Sequence, residues 1–248
     1  MSGDLNGRVA IVTGAASGIG KATALLFAEL GARVAIVDRD ETAAINAKEE
    51  IERAVPGAKL IVSQCDVSNE AQVERTVQET CARFGGLDIV VNNAGLMVFK
   101  PLDRHTLEDW NRVLSVDLLG AFLFIKQAFK VMRKGGAIVN VSSVHAVETT
   151  PLVAAYAAAK AALVSLTHSA SIEGKPKGIR ANCILPGAVD TPMLWNNPNI
   201  KDGLEVIHQS DVGKPEQIAE VIAFLASDAA GFVQGAAVSV DGGRLSHL

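Results

Sequence analysis

Tyr156, the only tyrosine of the chain, stands four residues before Lys160 in the run Tyr156-Ala157-Ala158-Ala159-Lys160. Residues at that spacing share one face of a helix. A phenol titrates near ~10 in water, too weak an acid to release its proton readily at neutral pH. An ammonium fixed beside it favours the phenolate and brings the group towards the range of a general acid/base. A half-buried tyrosine on an Ala-rich helix, with a solvated lysine below it, carries the same spacing. The pair by itself leaves both readings open.

The elements that must position such a pair follow from the hydrophobic pattern. Short β-branched runs lie at Val9–Thr13, Val34–Asp38, Leu60–Cys65, Asp88–Asn92, Ala137–Val141, Arg180–Leu185 and Ala237–Val240. Most are nearly all apolar, as parallel strands buried on both faces must be. Helical patterns separate them at Gly18–Leu30, Glu41–Ala54, Glu70–Phe84, Leu107–Met132, Val153–Ile172 and Pro215–Ala226. Thr106-Leu107-Glu108-Asp109 reads as a capping box for the fourth of these, with Asp a weaker closing residue than Glu. Alternating strand and helix predicts an α/β fold with one doubly wound parallel sheet of about seven strands and helices on both faces. An eight-fold barrel has too many strands to match. No linker, repeat or low-complexity stretch divides the chain, so residues 1–248 read as one domain.

Composition narrows the function classes. Of the 248 residues, 49% are hydrophobic and 20% charged, enough apolar material for a sizeable core. The net charge of −4 and the absence of a Lys/Arg-rich run argue against nucleic acid as a partner. Met1-Ser2-Gly3-Asp4-Leu5-Asn6 lacks the basic-then-apolar pattern of a signal peptide. No apolar run approaches the ~20 residues of a membrane span, so no membrane partner is expected. Cys65, Cys81 and Cys183 are scattered, without Cys-x-x-Cys spacing, which argues against a disulfide framework or a zinc site. These features predict a soluble protein of a reducing cytoplasm.

Between the first strand and first helix lies Thr13-Gly14-Ala15-Ala16-Ser17-Gly18-Ile19-Gly20. Small residues there let backbone N–H groups and the helix N-terminus come close to a pyrophosphate, as in Rossmann-type sheets. The string is weak alone and strong in this strand-to-helix position. Asp38 ends the second strand, where a carboxylate could hold the adenosine ribose hydroxyls and repel a 2′-phosphate. That favours NAD over NADP, although the adjacent Arg39 could accommodate the phosphate.

With the glycine loop and Tyr156/Lys160 together, the sequence resembles the single-domain short-chain dehydrogenase/reductases over nearly its whole length. Asp66-Val67, Asn92-Asn93-Ala94-Gly95, Ser142-Ser143 and Pro186-Gly187 through Thr191-Pro192 complete the resemblance. Each follows the C-terminal end of a predicted strand, where open α/β sheets bind ligands. The resemblance implies a catalytic Ser143, thirteen residues before Tyr156, whose hydroxyl holds the substrate oxygen. It implies cofactor contacts from Gly14, Ser17, Gly18, Ile19, Gly20, Asp38, Asp66 and Val67. Further contacts are implied from Asn92, Ala94, Gly95, Pro186, Gly187, Val189 and Thr191, and from Tyr156 and Lys160 themselves. The closing Val240-Asp241-Gly242-Gly243 resembles the family's C-terminal strand and turn, commonly part of a subunit contact, and a homo-oligomer, usually a tetramer, is implied.

One position departs from the family pattern. Asp117 stands where members usually carry an asparagine that kinks its helix and holds a water on the active-site lysine. A carboxylate there could pair with Lys160 and weaken its pull on the phenol, raising the tyrosine pKa. A tolerated substitution without kinetic consequence is the other reading.

The resemblance implies hydride transfer between nicotinamide and a small secondary alcohol or ketone. An NADP-dependent carbonyl or 3-oxoacyl reductase, and a nucleotide-binding regulator with little turnover, remain the alternatives. Candidate pocket positions are Leu96, Met97, Val98, Val144, His145, Ala188, Met193, Leu194 and Trp195, a mostly apolar set. His145 could bond a second substrate hydroxyl, as in some sugar dehydrogenases of the family, or be an ordinary rim histidine, and Glu148 has the same ambiguity. Trp195-Asn196-Asn197-Pro198-Asn199 has few helix formers and ample turn chemistry, suiting either a mobile lid or a surface loop.

Overall fold

A computed structural model of the chain describes residues 4–204 and 206–247, and of His247 the backbone alone. The Met1–Gly3 part of the start considered above lies outside these residues. Among the described residues seven strands form one sheet: β1 (Val9–Thr13), β2 (Arg33–Asp38), β3 (Lys59–Gln64), β4 (Ile89–Asn92), β5 (Ala137–Val141), β6 (Arg180–Pro186) and β7 (Ala237–Val240). Their order is β3-β2-β1-β4-β5-β6-β7, every neighbouring pair parallel. This is the expected Rossmann-like α/β fold. Because β4 returns to the far side of β1, the order reverses between them, opening a crevice at their carboxyl ends.

Among the described residues nine α-helices connect the strands: α1 (Gly18–Glu29), α2 (Glu41–Ala54), α3 (Glu70–Phe84), α4 (Leu107–Leu114), α5 (Gly120–Val131), α6 (Ala154–Gly174), α7 (Pro192–Trp195), α8 (Pro198–Lys201) and α9 (Pro215–Ala226). Alternation along the strands divides the core. Ala10 and Val12 face Phe27, Ile51 and Ile222 on α1, α2 and α9, whereas Ile11 faces the side packed with Val73, Phe124 and Ala170 from α3, α5 and α6. The helices therefore cover both faces. No described helix is long and apolar enough to cross a membrane.

One expectation needs correction. The single helix expected over Leu107–Met132 is interrupted by a π turn at Ser115–Leu119 between α4 and α5. One extra residue per turn leaves the apolar periodicity almost intact, which hides such a turn from pattern reading. It carries Asp117 inward, to 1% exposure. Behind it, a Cβ on Gly120 would lie 2.8 Å from Val67 Cγ2, so only glycine lets α5 approach that segment unhindered. The expected capping box is formed at α4: Asp109 N–H donates to Thr106 Oγ1 at 3.1 Å, and Thr106 N–H to Asp109 Oδ2 at 2.9 Å.

Of the stretch Trp195–Asn199, Trp195 closes the single-turn helix α7, Asn196 and Asn197 form the connection after it, and Pro198 and Asn199 begin the single-turn helix α8. Thr191 and Asn197 cap them, each followed by proline at the first helical position. Asn199 is fully buried, and its Nδ2 donates to the Pro151 carbonyl at 2.7 Å.

Candidate active site

The β1–α1 turn forms a close-packed cradle at the crevice. Gly14 and Gly18 adopt φ of +62° and +52°, left-handed values that a Cβ disfavours. A Cβ on Gly20 would run into the Gly14 carbonyl. Asn93 ties the turn to β4, its Nδ2 donating to the carbonyls of Thr13 at 2.9 Å and Gly14 at 3.2 Å. The first turn of α1 holds no acidic residue, and Ser17 makes no capping bond, so the helix N-terminus faces the crevice without a competing anion. Asp38 stands at the end of β2 and accepts from Ala16 N–H at 3.1 Å, beside Arg39 on the same cavity wall. Asp66 lies on that wall too, held below the usual carboxylate range mainly by the Ser68 hydroxyl at 2.6 Å. The glycine-rich turn, the helix terminus and the carboxylate fit a dinucleotide's pyrophosphate and ribose. Gly20→Ala is expected to weaken NADH binding about tenfold or more, because the Gly14 carbonyl must shift. A fluorescence titration giving the wild-type Kd would contradict that.

Further along the crevice, three segments bring polar side chains together. Ser143 follows β5, and its hydroxyl accepts from His145 N–H at 3.2 Å. Tyr156 and Lys160 occupy the buried face of α6, 7% and 3% exposed. Ser142 Oγ donates to the Lys160 carbonyl at 2.8 Å, fixing α6 against the end of β5. Lys160 Nζ donates to the Val141 carbonyl at 3.1 Å and sits 5.4 Å from the centre of the Tyr156 ring. The solvated lysine that the spacing alone allowed is therefore excluded.

Asp117 completes the cluster from below. Its Oδ2 lies 3.3 Å from Lys160 Nζ, and its Oδ1 accepts from Leu96 N–H at 2.9 Å. Gly95 leaves room for the pair, since a Cβ there would stand 2.8 Å from that Oδ2. Burial pushes the Asp117 carboxyl up, and the Lys160 ammonium opposes it. Burial pulls Lys160 down, but Asp117 and the Tyr156 phenol outweigh it and hold the ammonium above its usual range. Tyr156 also stands above the usual phenol. Burial is the first cause, Lys160 pulls it down, Asp117 pushes it up, and a hydrogen bond with Ser143 lowers it. The raised phenol expected from Asp117 thus has burial as its main cause and Asp117 as a lesser one.

The cradle and this cluster border one cavity of about 380 Å³. Gly14, Ser17, Gly18, Ile19, Asp38, Asp66, Val67, Ala94, Gly95, Pro186, Gly187, Val189 and Thr191 line it with Ser143, Tyr156 and Lys160. Asn92 and Gly20 do not. The Asn92 side chain is buried, donating to Asn140 Oδ1 at 2.8 Å, and Asn93 is the asparagine at the cavity. Leu96, Met97, Val144, Ala188, Met193 and Leu194 form the apolar wall, and the His145 ring meets Tyr156 edge-on at 5.8 Å. Val98 and Trp195 lie outside it; Trp195 Nε1 donates instead to Asp190 at 2.7 Å. Sequence reasoning missed Arg112, Ile207 and Arg244 on the lining and passed over Asn93 within its motif, while Asn197 belongs to the stretch considered above as a lid. For Arg244 the only signal was a cation directly after Gly242-Gly243, in a stretch read as a subunit contact. That stretch packs on the site as well, because a Cβ on Gly187 would lie 2.9 Å from Asp241 Cα.

Comparison with known proteins adds a second line of support. A family model described as enoyl-(acyl carrier protein) reductase, of the short-chain alcohol dehydrogenase type, matches residues 14–244. The cis-4-hydroxycyclohexanecarboxylate dehydrogenase of Sinomonas cyclohexanicum is 42% identical, over 95% of this chain and 96% of that protein. The 3-oxoacyl-acyl-carrier-protein reductase FabG of Thermotoga maritima is 37% identical, over 96% and 98%. The crystal structure of levodione reductase superposes with a TM-score of 0.92 at 35% identity, covering 98% of this chain and 99% of that one.

Proposed function

Since the chain belongs to the short-chain dehydrogenase/reductase family, whose relatives above are named as dehydrogenases and reductases, we propose that it is an NAD-dependent oxidoreductase interconverting a secondary alcohol and its ketone, with Tyr156 as general acid/base. One observation carries the reading: Ser143, Tyr156 and Lys160 line the same cavity as the glycine cradle.

When bound, the nicotinamide supplies the hydride acceptor or donor. The chain's own residues handle the oxygen and its proton. Ser143 holds the carbinol oxygen by its hydroxyl, and Tyr156 takes that proton as the alcohol is oxidised. Lys160, kept charged by Asp117, favours the phenolate and would hold the nicotinamide ribose. The apolar wall of Leu96, Met97, Val144 and Met193 excludes water from the reacting carbon, and His145 borders the same space. Reduction runs the proton back from Tyr156 to the ketone oxygen.

Asp38 supports NAD over NADP, and its charge is the testable part. Asp38→Asn keeps an acceptor for Ala16 N–H but removes the charge, so the ratio of NADPH to NADH dissociation constants should fall roughly 10- to 100-fold. An unchanged ratio would remove Asp38 as the selector. Arg39, on the same wall, is the observation that favours the second reading, an NADP-dependent carbonyl or 3-oxoacyl reductase. The buried Asp117 beside Lys160 favours the third, a nucleotide-binding regulator with little turnover.

A screen of the purified protein with NAD and NADP tests these readings together. It should span alcohols, sugars, 3-hydroxyacyl compounds and hydroxycyclohexanecarboxylate isomers, the last taken from the name of the 42% identical relative. Turnover of secondary alcohols with NAD is expected, and no turnover with either cofactor would overturn the proposal. We also propose one catalytic domain over residues 1–248, a cytoplasmic setting, and assembly into a homo-oligomer, a tetramer by family habit. The exposed apolar side chains of Phe122, Ile172 and Phe232 are consistent with subunit contacts.

A further inference from the structure

Asn197 is a buried polar side chain on the cavity lining that neither the cofactor cradle nor the proton chemistry employs. It is 6% exposed and shares the lining with the apolar Met193, Leu194 and Ile207. All four belong to the excursion of residues 190–212 between β6 and α9. That excursion is closed at its base by the parallel bridge of Val189 with Gly213 and by Asp190 N–H, which donates to the Gly213 carbonyl at 2.9 Å. Two bonds fix Asn197 within it. Its own N–H donates to the Leu194 carbonyl at 3.0 Å, and its Oδ1 accepts from Asn199 N–H at 2.9 Å. Asn199 is in turn tied to the Pro151 carbonyl, on the turn that leads into α6.

The second bond also settles which way the amide faces. A backbone N–H can only donate, so the side-chain atom it meets is the oxygen, and Nδ2 is the atom left over. Nδ2 makes no hydrogen bond among the described residues, and unlike Asn199 Oδ1 it is not sealed off, so the cavity is the space it opens to. A donor in such an apolar setting has lost most of its hydration and regains a partner only when a ligand brings an acceptor. Held by its backbone and its oxygen, the amide is oriented before the ligand arrives, so binding orders little. We infer that Asn197 is a specificity-determining residue whose Nδ2 donates to a second oxygen of the substrate. The substrate class is then a secondary alcohol or ketone with an apolar body that carries a further carbonyl-type oxygen, of a ketone or a carboxylate, away from the reacting carbon. The body lies along Leu96, Met97, Val144 and Met193, with the reacting oxygen at Ser143 and Tyr156 and the second oxygen at Asn197. This inference rests on the oxidoreductase reading above.

The test compares substrates that differ in that oxygen alone. Wild-type protein with NAD is assayed on hydroxyketones, with the C=O at increasing distance from the carbinol carbon, and on the same alcohols with CH2 in its place. Matching hydroxy acids form a further arm, which separates a ketone from a carboxylate. At one spacing or more, the alcohol carrying the oxygen should be preferred in kcat/KM by roughly tenfold or more. Asn197→Asp retains an acceptor for Asn199 N–H but puts a carboxylate in place of the donor, and Asn197→Ser retains a neutral capping oxygen. In both variants that preference should fall roughly tenfold or more, chiefly through KM. No preference at any spacing in the wild type, or a preference that survives both variants, overturns the inference. A loss confined to NADH affinity would assign the donor to the cofactor and overturn it equally. Turnover of plain secondary alcohols in those events leaves the oxidoreductase reading standing. If no alcohol or ketone is turned over, that reading falls, and calorimetric titration of the NADH-loaded protein with diketones and the matching monoketones decides the site. Equal affinities in the wild type sink it, and a diketone preference that Asn197→Asp loses upholds it.

Discussion

Tyr156→Phe is expected to lower kcat by about 10²- to 10⁴-fold, the usual contribution of a placed general acid/base. NADH affinity should change little. The hydroxyl lost is that of a 7% exposed phenol beside Ser143, while Lys160 remains held by the Val141 carbonyl and Asp117. The fold should therefore survive, and an unchanged thermal midpoint would show that it has. Substantial turnover in this variant would mean that another group moves the proton. His145, the nearest ring, would then be the first candidate.

Asp117→Asn should move the pH profile rather than abolish activity. Oxidation needs the phenolate, so the rate rises as pH passes through the apparent pKa of Tyr156. Asp117 pushes that value up, by its own charge and by taking up part of the attraction of Lys160. Asparagine can still accept from Leu96 N–H but carries no charge, so the phenol pKa should fall. The acid limb of kcat/KM for alcohol oxidation should shift about one unit towards lower pH. A limb that stays put would make the carboxylate a tolerated substitution, without kinetic effect. Asp117→Ala removes the acceptor as well as the charge, so Leu96 N–H is left unpaired and the variant should be about 1–3 kcal/mol less stable than Asp117→Asn, read as a lower thermal midpoint.

Much of this molecule is readable from residue patterns because its strands are short, apolar and bounded by turns. The ends of β1, β5 and β7 fall where the β-branched runs stop, and the capping box at Thr106 marks the start of α4. Tyr156 and Lys160 follow from their spacing and Ser143 from the family resemblance, and all three line one cavity. The misses have physical reasons. At Asn92-Asn93 the two side chains leave opposite faces of the strand end, so choosing between them needed the register of the sheet. Asp117 was singled out, but its inward aim depends on a π turn that the hydrophobic period conceals. The caps of α7 and α8 were visible as Thr191-Pro192 and Asn197-Pro198, yet single turns leave no periodicity to detect. Arg244 reaches the site through Glu148, 96 residues away in sequence, a contact that no local pattern encodes.

The central claim is that this cavity moves a hydride from a carbinol carbon while Tyr156 takes the hydroxyl proton. The most direct measurement uses a secondary alcohol from the screen deuterated at its carbinol carbon, incubated with the protein and NAD. Mass spectrometry of the dinucleotide should then show reduced product carrying the deuterium, at a rate that collapses in Tyr156→Phe. Reduced dinucleotide without the label, or the labelled product formed equally well by Tyr156→Phe, would contradict the account.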